Sequence, residues 1–152
     1  MAVLPIIIYP NKILEQKAEE IEDSQSLEIQ ELILNMLETL EANNGLGLAA
    51  PQVGKSVRLC IVKVPEEETL VLINPKIKSK SWKKVIEEEG CLSFPGQFFP
   101  VKRHKKVRVK ALDRMGKKIN IKAEGILSKA LQHEIDHLDG ILFIEKRIKT
   151  KK

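Results

Sequence analysis

The stretch GILSKALQHEIDHLDG, from Gly125 to Gly140, is the part of the chain whose reading decides the fold. Ile126, Leu127, Ala130, Leu131, Ile135 and Leu138 recur at the helical period and break the alternation of a strand. The spacing predicts a helix that starts after Gly125 and ends near Gly140. Within it, His133-Glu134-Ile135-Asp136-His137 forms an HExxH motif. Positions i and i+4 lie about 40° apart on one helix face, so both imidazoles can converge on one metal ion. Glu134 then sits beside that ion, placed to handle a proton on a bound water.

Two imidazoles need a third ligand. Gly140 stands at the offset of the longer metzincin pattern, but Phe143 occupies the place of its last histidine. Glu145 is too near to serve as a distant ligand, so the third group is expected upstream. Cys60, in Leu59-Cys60-Ile61-Val62, reads as a small buried hydrophobe. His104 lies among Lys102, Arg103, Lys105 and Lys106, whose charge repels a cation, and reads as surface. Cys91, in Glu89-Gly90-Cys91-Leu92-Ser93, reads either as a ligand or as an ordinary buried thiol, and upstream carboxylates remain open. A thiolate with two imidazoles would leave a fourth position for water, the arrangement of catalytic rather than structural sites.

Outward from the helix, Val107, Val109 and Ala111 alternate with Arg108 and Lys110. After Asp113-Arg114-Met115-Gly116, Ile119, Ile121 and Ala123 alternate with Asn120 and Lys122, which predicts a hairpin. Val57 to Val64 and Leu70 to Ile73 are β-rich and bounded by Pro65 and Pro75. Near the N-terminus, Ser26 to Asn43 predicts an amphipathic helix. Its apolar face is drawn from Leu27, Ile33, Leu34, Leu37 and Leu40, and Asn43-Asn44-Gly45 is the stop. The expected class is α+β, with mixed, mostly antiparallel strands around a central HExxH helix. No repeat or linker divides the 152 residues, so one domain spanning 1–152 is expected.

Composition narrows the function classes. Hydrophobic residues make up 43% and charged residues 31%, the balance of a globular chain and not a disordered one. Two cysteines cannot make a disulfide framework, and no apolar run is long enough to span a bilayer. Without a signal-peptide pattern the expected location is the cytoplasm. The formal charge of +5 leaves a polyanionic partner open. Lys102 to Lys106, Arg108, Lys110, Lys117, Lys118 and the tail Lys146 to Lys152 supply it. Alternating charges on a hairpin read first as a solvated strand face, and no aromatic set for base stacking accompanies them. No specific DNA or RNA target and no membrane partner is expected.

Gly45-Leu46-Gly47-Leu48-Ala49-Ala50-Pro51-Gln52 lacks the spacing of a phosphate loop. It reads either as a helix stop with a tight connection or as a place where a ligand approaches the backbone. Three segments in this order, Gly45 to Gln52, Glu89 to Ser93 and Gln132 to His137, resemble the GxGxAAxQ, EGCLS and QHExDH marks of the peptide deformylase family. Val3-Leu4, Tyr9-Pro10 and Leu72-Ile73-Asn74-Pro75 extend the resemblance over nearly the whole chain.

That resemblance implies one divalent metal per chain, held by Cys91, His133 and His137. Ferrous iron is favoured, with zinc, nickel or cobalt as alternatives. It further implies removal of the N-formyl group from the initiator methionine of nascent peptides. Metal-bound water or hydroxide would attack the formyl carbonyl, Glu134 would act as general acid/base, and Gln52 with the Leu92 backbone N–H would stabilise the oxyanion. Leu46, Gly47, Gly90, Ile126 and Ala130 are the residues expected to line the substrate pocket. Glu89 or Asp136 is expected to pair with Arg103. Ribosome association through the basic surface is a further expectation. The sequence departs from many members at Phe98-Phe99, where a basic residue is common, so the rim of the site is expected to be apolar.

Overall fold

The structure is a computed structural model and describes residues 2–148. Two α-helices and seven strands make an α+β fold. They run in the order α1 (Leu27–Ala42), β1 (Gly47–Ala49), β2 (Leu59–Val62), β3 (Leu70–Lys80), β4 (Lys84–Cys91), β5 (Phe94–His104), β6 (Lys106–Leu112), β7 (Lys118–Glu124) and α2 (Ile126–Leu138). Five strands form an antiparallel sheet in the order β1-β2-β3-β6-β7, and β4 and β5 pair separately. All the strand pairs are antiparallel. Among the described residues, no helix is long and apolar enough to cross a membrane.

Local chemistry explains the ends of these elements. The Ser26 hydroxyl accepts from the Ile29 N–H and caps α1, and Asn43 follows its last turn. Asp113 Oδ1 accepts from the N–H groups of both Met115 and Lys117, closing the β6–β7 turn, while Gly116 takes φ 82°. β3 does not stop at Pro75, as the composition suggested, but continues to Lys80. The pairing with β6 shifts register between Ile73 and Lys76, so the proline, which has no N–H to donate, falls in a bulge. The β4–β5 hairpin has no counterpart in the sequence pattern, because polar and charged residues obscure its strand period.

The core is built on both faces of β2. Cys60 and Val62 point with Leu72, Val107, Val109 and Ala123 toward Leu131, Ile135 and Leu138 of α2. Leu59 and Ile61 point the other way, toward Ile33, Met36 and Leu40 of α1. Cys60 is fully buried, and burial pushes its thiol pKa well up, so it is a core residue. The buried face of α1 consists of Ile29, Leu32, Ile33, Met36, Thr39 and Leu40. Leu27 and Leu34 are exposed instead of packed, because the stripe that meets the sheet is rotated from the one they define.

α2 is pinned at both ends. The buried Arg58 donates to the Leu138 carbonyl at 2.8 Å and to Asp139 at 2.8 Å, satisfying the helix C-terminus with a cation. Toward the other end the Ser128 hydroxyl donates to the His104 carbonyl at 3.0 Å, and Gln132, at mid-helix, accepts from the His104 N–H at 3.0 Å and donates to its carbonyl at 2.8 Å, clasping the last residue of β5. His104 is thus half-buried and hydrogen-bonded to Ser81, not simply a surface group, and it is not one of the three converging donors Cys91, His133 and His137.

A candidate metal centre

α2 lays His133 and His137 against the end of β4, where the pairing with β5 shifts register between Gly90 and Cys91. That irregularity aims Cys91 at the helix. One ligand atom from each of Cys91, His133 and His137 lies within 4.8 Å of the others, and Cys91 Sγ is 3.3 Å from His137 Nε2. Two ligands on one tetrahedral ion lie about 3.5 Å apart, so the donor set fits a metal.

The surrounding contacts orient the donors. Glu89 accepts from His133 Nδ1 at 2.9 Å, which leaves Nε2 for the site. Arg103 grips Glu89 with two hydrogen bonds, at 2.8 and 2.9 Å, and reaches Asp136 with its third nitrogen. The expected ion pair therefore involves both acids, and it ties β4, β5 and α2 together. Burial raises the Glu89 pKa, but the hydrogen bonds from His133 and Arg103 outweigh it and hold the carboxylate at about 2. For His133 burial disfavours charge, yet the partners Cys91 and Glu89 win and raise it to about 10. His137 goes the other way, since burial and the neighbouring His133 both favour its neutral form.

Glu134 faces strand β1. A Cβ on Gly47 would lie 2.6 Å from its Oε2 and 2.9 Å from its Cγ and Cδ, so only glycine leaves room for this carboxylate. Burial lifts the Glu134 pKa to about 7 against the pull of His133 and Arg103. Its Oε1 is buried without a partner among the described residues, as is His137 Nδ1. After β1 the chain turns through Ala50–Val53 and brings in Gln52, which is buried. Its side-chain carbonyl accepts from the Ala49 N–H, and its amide donates to Ser93 Oγ at 3.1 Å and Cys91 Sγ at 3.5 Å. The Gly45 to Gln52 segment is thus a helix stop and also a wall of the site.

These groups open on a cavity of about 720 Å³. Leu46, Gly47, Gln52, Gly90, Cys91, Leu92, Ala130, His133 and Glu134 line it. Ile126 does not: it lies at the first turn of α2, too far along the helix, and is exposed. Phe98 lies on the rim, and its ring packs where a Cβ on Gly90 would sit, so the rim is apolar there. Ser93, Gln132 and Arg58 were not singled out from sequence. The first two lie inside the motifs, but Arg58 carried no local signal. Glu145 accepts from the Leu142 N–H and caps a short turn.

An HExxH helix with a cysteine sulfur poised beside its two imidazoles, in an α+β fold, describes a metal-dependent hydrolase. A sequence profile described as polypeptide deformylase matches residues 3–152. Peptide deformylase of Thermodesulfovibrio yellowstonii is 52% identical over 150 residues, covering 96% of this chain and 90% of that one. Peptide deformylase of Desulforudis audaxviator is 42% identical over 146 residues, covering 96% and 94%. The crystal structure of peptide deformylase from Ehrlichia chaffeensis in complex with actinonin superposes with a TM-score of 0.95 at 43% identity, covering 98% of this chain and 91% of that one. The Thermotoga maritima enzyme gives 0.93 at 33% identity, covering 99% and 100%. The chain belongs to the polypeptide deformylase family. It is a metal-dependent hydrolase that removes the N-formyl group from newly made polypeptides.

Proposed function

We propose that Cys91, His133 and His137 hold the metal and that Glu134 moves the protons. The observation that carries this reading is the convergence of the three donor atoms within 4.8 Å beside a buried carboxylate with one unpartnered oxygen. A divalent ion held there would act as a Lewis acid and lower the pKa of a bound water toward about 7. Glu134 takes at Oε1 the proton of the water that adds to the formyl carbon and delivers it to the amine as the C–N bond breaks and formate leaves, a role suited to a carboxyl whose pKa lies near neutrality. Gln52 Nε2 and the Leu92 N–H donate to the oxygen of the formyl carbonyl as it gains charge. Such donors are worth about 3–4 kcal/mol each. Ser93 and the Ala49 N–H keep the Gln52 amide in place beforehand.

Leu46, Gly47, Gly90 and Ala130 bound the space for the methionine side chain and peptide backbone. The site admits hydrogen at the reacting carbon and excludes methyl, so acetylated ends are refused. Ferrous iron is the metal favoured by resemblance, while thiolate and imidazole donors also accept zinc, nickel or cobalt. The active unit is one catalytic domain, 1–152, working in the cytoplasm, and its basic surface brings it to nascent chains at the ribosome.

Anaerobic purification, metal analysis and formate release from a formyl-Met peptide test the assignment. Cys91→Ala should lose the metal, whereas Glu134→Gln should retain it and lose turnover. A Cys91→Ala protein with a full metal complement would overturn the ligand set.

A further inference from the structure

α1 covers one face of the main sheet over β1, β2, the first half of β3 and the Leu112 end of β6. Farther along, the same face is bare. Val107, Val109 and Ala111 point toward α2, so Arg108 and Lys110 point to the uncovered side. The register sets Lys76 opposite Lys110, and Arg108 opposite Lys122. Like charges directly opposite on a sheet are destabilising, and folding alone does not select them. Lys76 has Glu20 at 3.6 Å, and Lys105 and Lys106 share Glu124 at 3.9 Å. Among the described residues Arg108, Lys110 and Lys122 have no ion-pair partner.

The face is also shaped. Ser79 stands opposite Arg108, and Ser81 is hydrogen-bonded to Lys106, so two small side chains leave a depression of about 490 Å³. Lys80, Lys106, Arg108 and Lys122 line it, with Glu124 as its only carboxylate. Next in the chain to Ser81, which lines the depression, the β3–β4 turn carries Trp82, the chain's single tryptophan and fully exposed. A large indole held in water beside a cationic hollow is the second observation that needs a partner.

We propose that this face, with Trp82 of the β3–β4 turn, docks the phosphate backbone of structured RNA, independently of base sequence. Arginine and lysine neutralise phosphates, and an exposed indole stacks on an unpaired base. A bilayer would need several apolar side chains to enter it. RNA is also the polyanion at hand for an enzyme that acts on newly made chains. The inference names the surface and ligand chemistry behind the ribosome reading above and rests on it in that respect. The face lies across the sheet from α2, so docking leaves the metal centre open.

The test uses the full-length, metal-loaded enzyme and a labelled RNA stem-loop with a single-stranded loop, read by anisotropy and by quenching of tryptophan fluorescence. Wild-type protein should bind, quench, and lose affinity linearly in the logarithm of salt concentration. The triple variant R108E/K110E/K122E should bind at least about tenfold more weakly and flatten the salt slope by about three. The neutral R108Q/K110Q/K122Q guards against misfolding. Trp82→Ala should weaken binding at least about fivefold with the slope unchanged. Deformylation of a short formyl-Met peptide should be untouched in all of them. Undiminished RNA binding by both triple variants, absence of quenching, or stronger binding to polyglutamate or phosphatidylserine vesicles would overturn the inference. Co-sedimentation with ribosomes separates the two readings. RNA binding without pelleting defeats the ribosome reading alone, and pelleting that survives the triple substitution defeats this one.

Discussion

Replacing Gly47 with alanine perturbs the site by a single methyl group. The new Cβ would lie 2.6 Å from Glu134 Oε2, and ordinary contact begins at 3.4 Å, so the carboxylate must retreat by about 0.8 Å. Rotating the carboxylate cannot relieve the clash, because Cγ and Cδ are both at 2.9 Å. The whole side chain must move. Misplacing a reacting group by about 1 Å costs on the order of 100-fold, or roughly 2.7 kcal/mol of activation free energy. Gly47 lies in a strand outside the left-handed region, so alanine adds no backbone strain and removes unfolded-state entropy, worth about 0.4–1 kcal/mol in favour of folding. The expected protein is folded, melts within a few degrees of wild type, keeps its metal, and loses about two orders of magnitude in kcat/KM for formyl-Met-Ala-Ser. Steady-state formate release, a thermal melt and metal analysis on one preparation decide it. Full activity in a stable Gly47→Ala enzyme would refute the claim that Glu134 must occupy this position.

Arg103→Leu removes the only guanidinium between Glu89 and Asp136 and leaves two buried carboxylates with His133 and Lys146 as remaining partners. The expected cost is about 3–5 kcal/mol, seen as a shift of the urea midpoint, and a change below 1 kcal/mol would contradict it. Arg58→Met strips the cation from the end of α2 and should cost about 1.5–3 kcal/mol without altering metal stoichiometry. Metal uptake by the metal-free protein should release protons and tighten as pH rises. His133, raised to about 10, carries a proton below that value that a metal must displace, so calorimetry in buffers of differing ionisation enthalpy should show release at pH 7. Acetyl-Met and formyl-Met peptides compared side by side should differ widely in turnover, and equal rates would discredit the exclusion of methyl.

The helical period around His133 and His137 is a local property, since residues four apart on a helix must share a face. The sequence therefore determined α2, the two-imidazole pair, the β6–β7 hairpin and the ends of α1 independently of any tertiary contact. Ordered motifs singled out Cys91, Gln52 and Glu89 by resemblance, but neither composition nor spacing could separate Cys91 from an ordinary buried thiol. Only the bulge between Gly90 and Cys91, and the packing of β4 against α2, bring the sulfur within 3.3 Å of His137. Tertiary structure alone also rotated the buried face of α1 away from Leu27 and Leu34 and carried β3 past Pro75. It removed Ile126 from the pocket as well. The basic tail is partly absorbed: Arg147 lies over the Phe99 ring and Lys146 pairs with Asp136, while Lys149 to Lys152 lie outside the described residues. In each case the deciding term is a contact between residues far apart in the chain, and periodicity along one segment has no access to it.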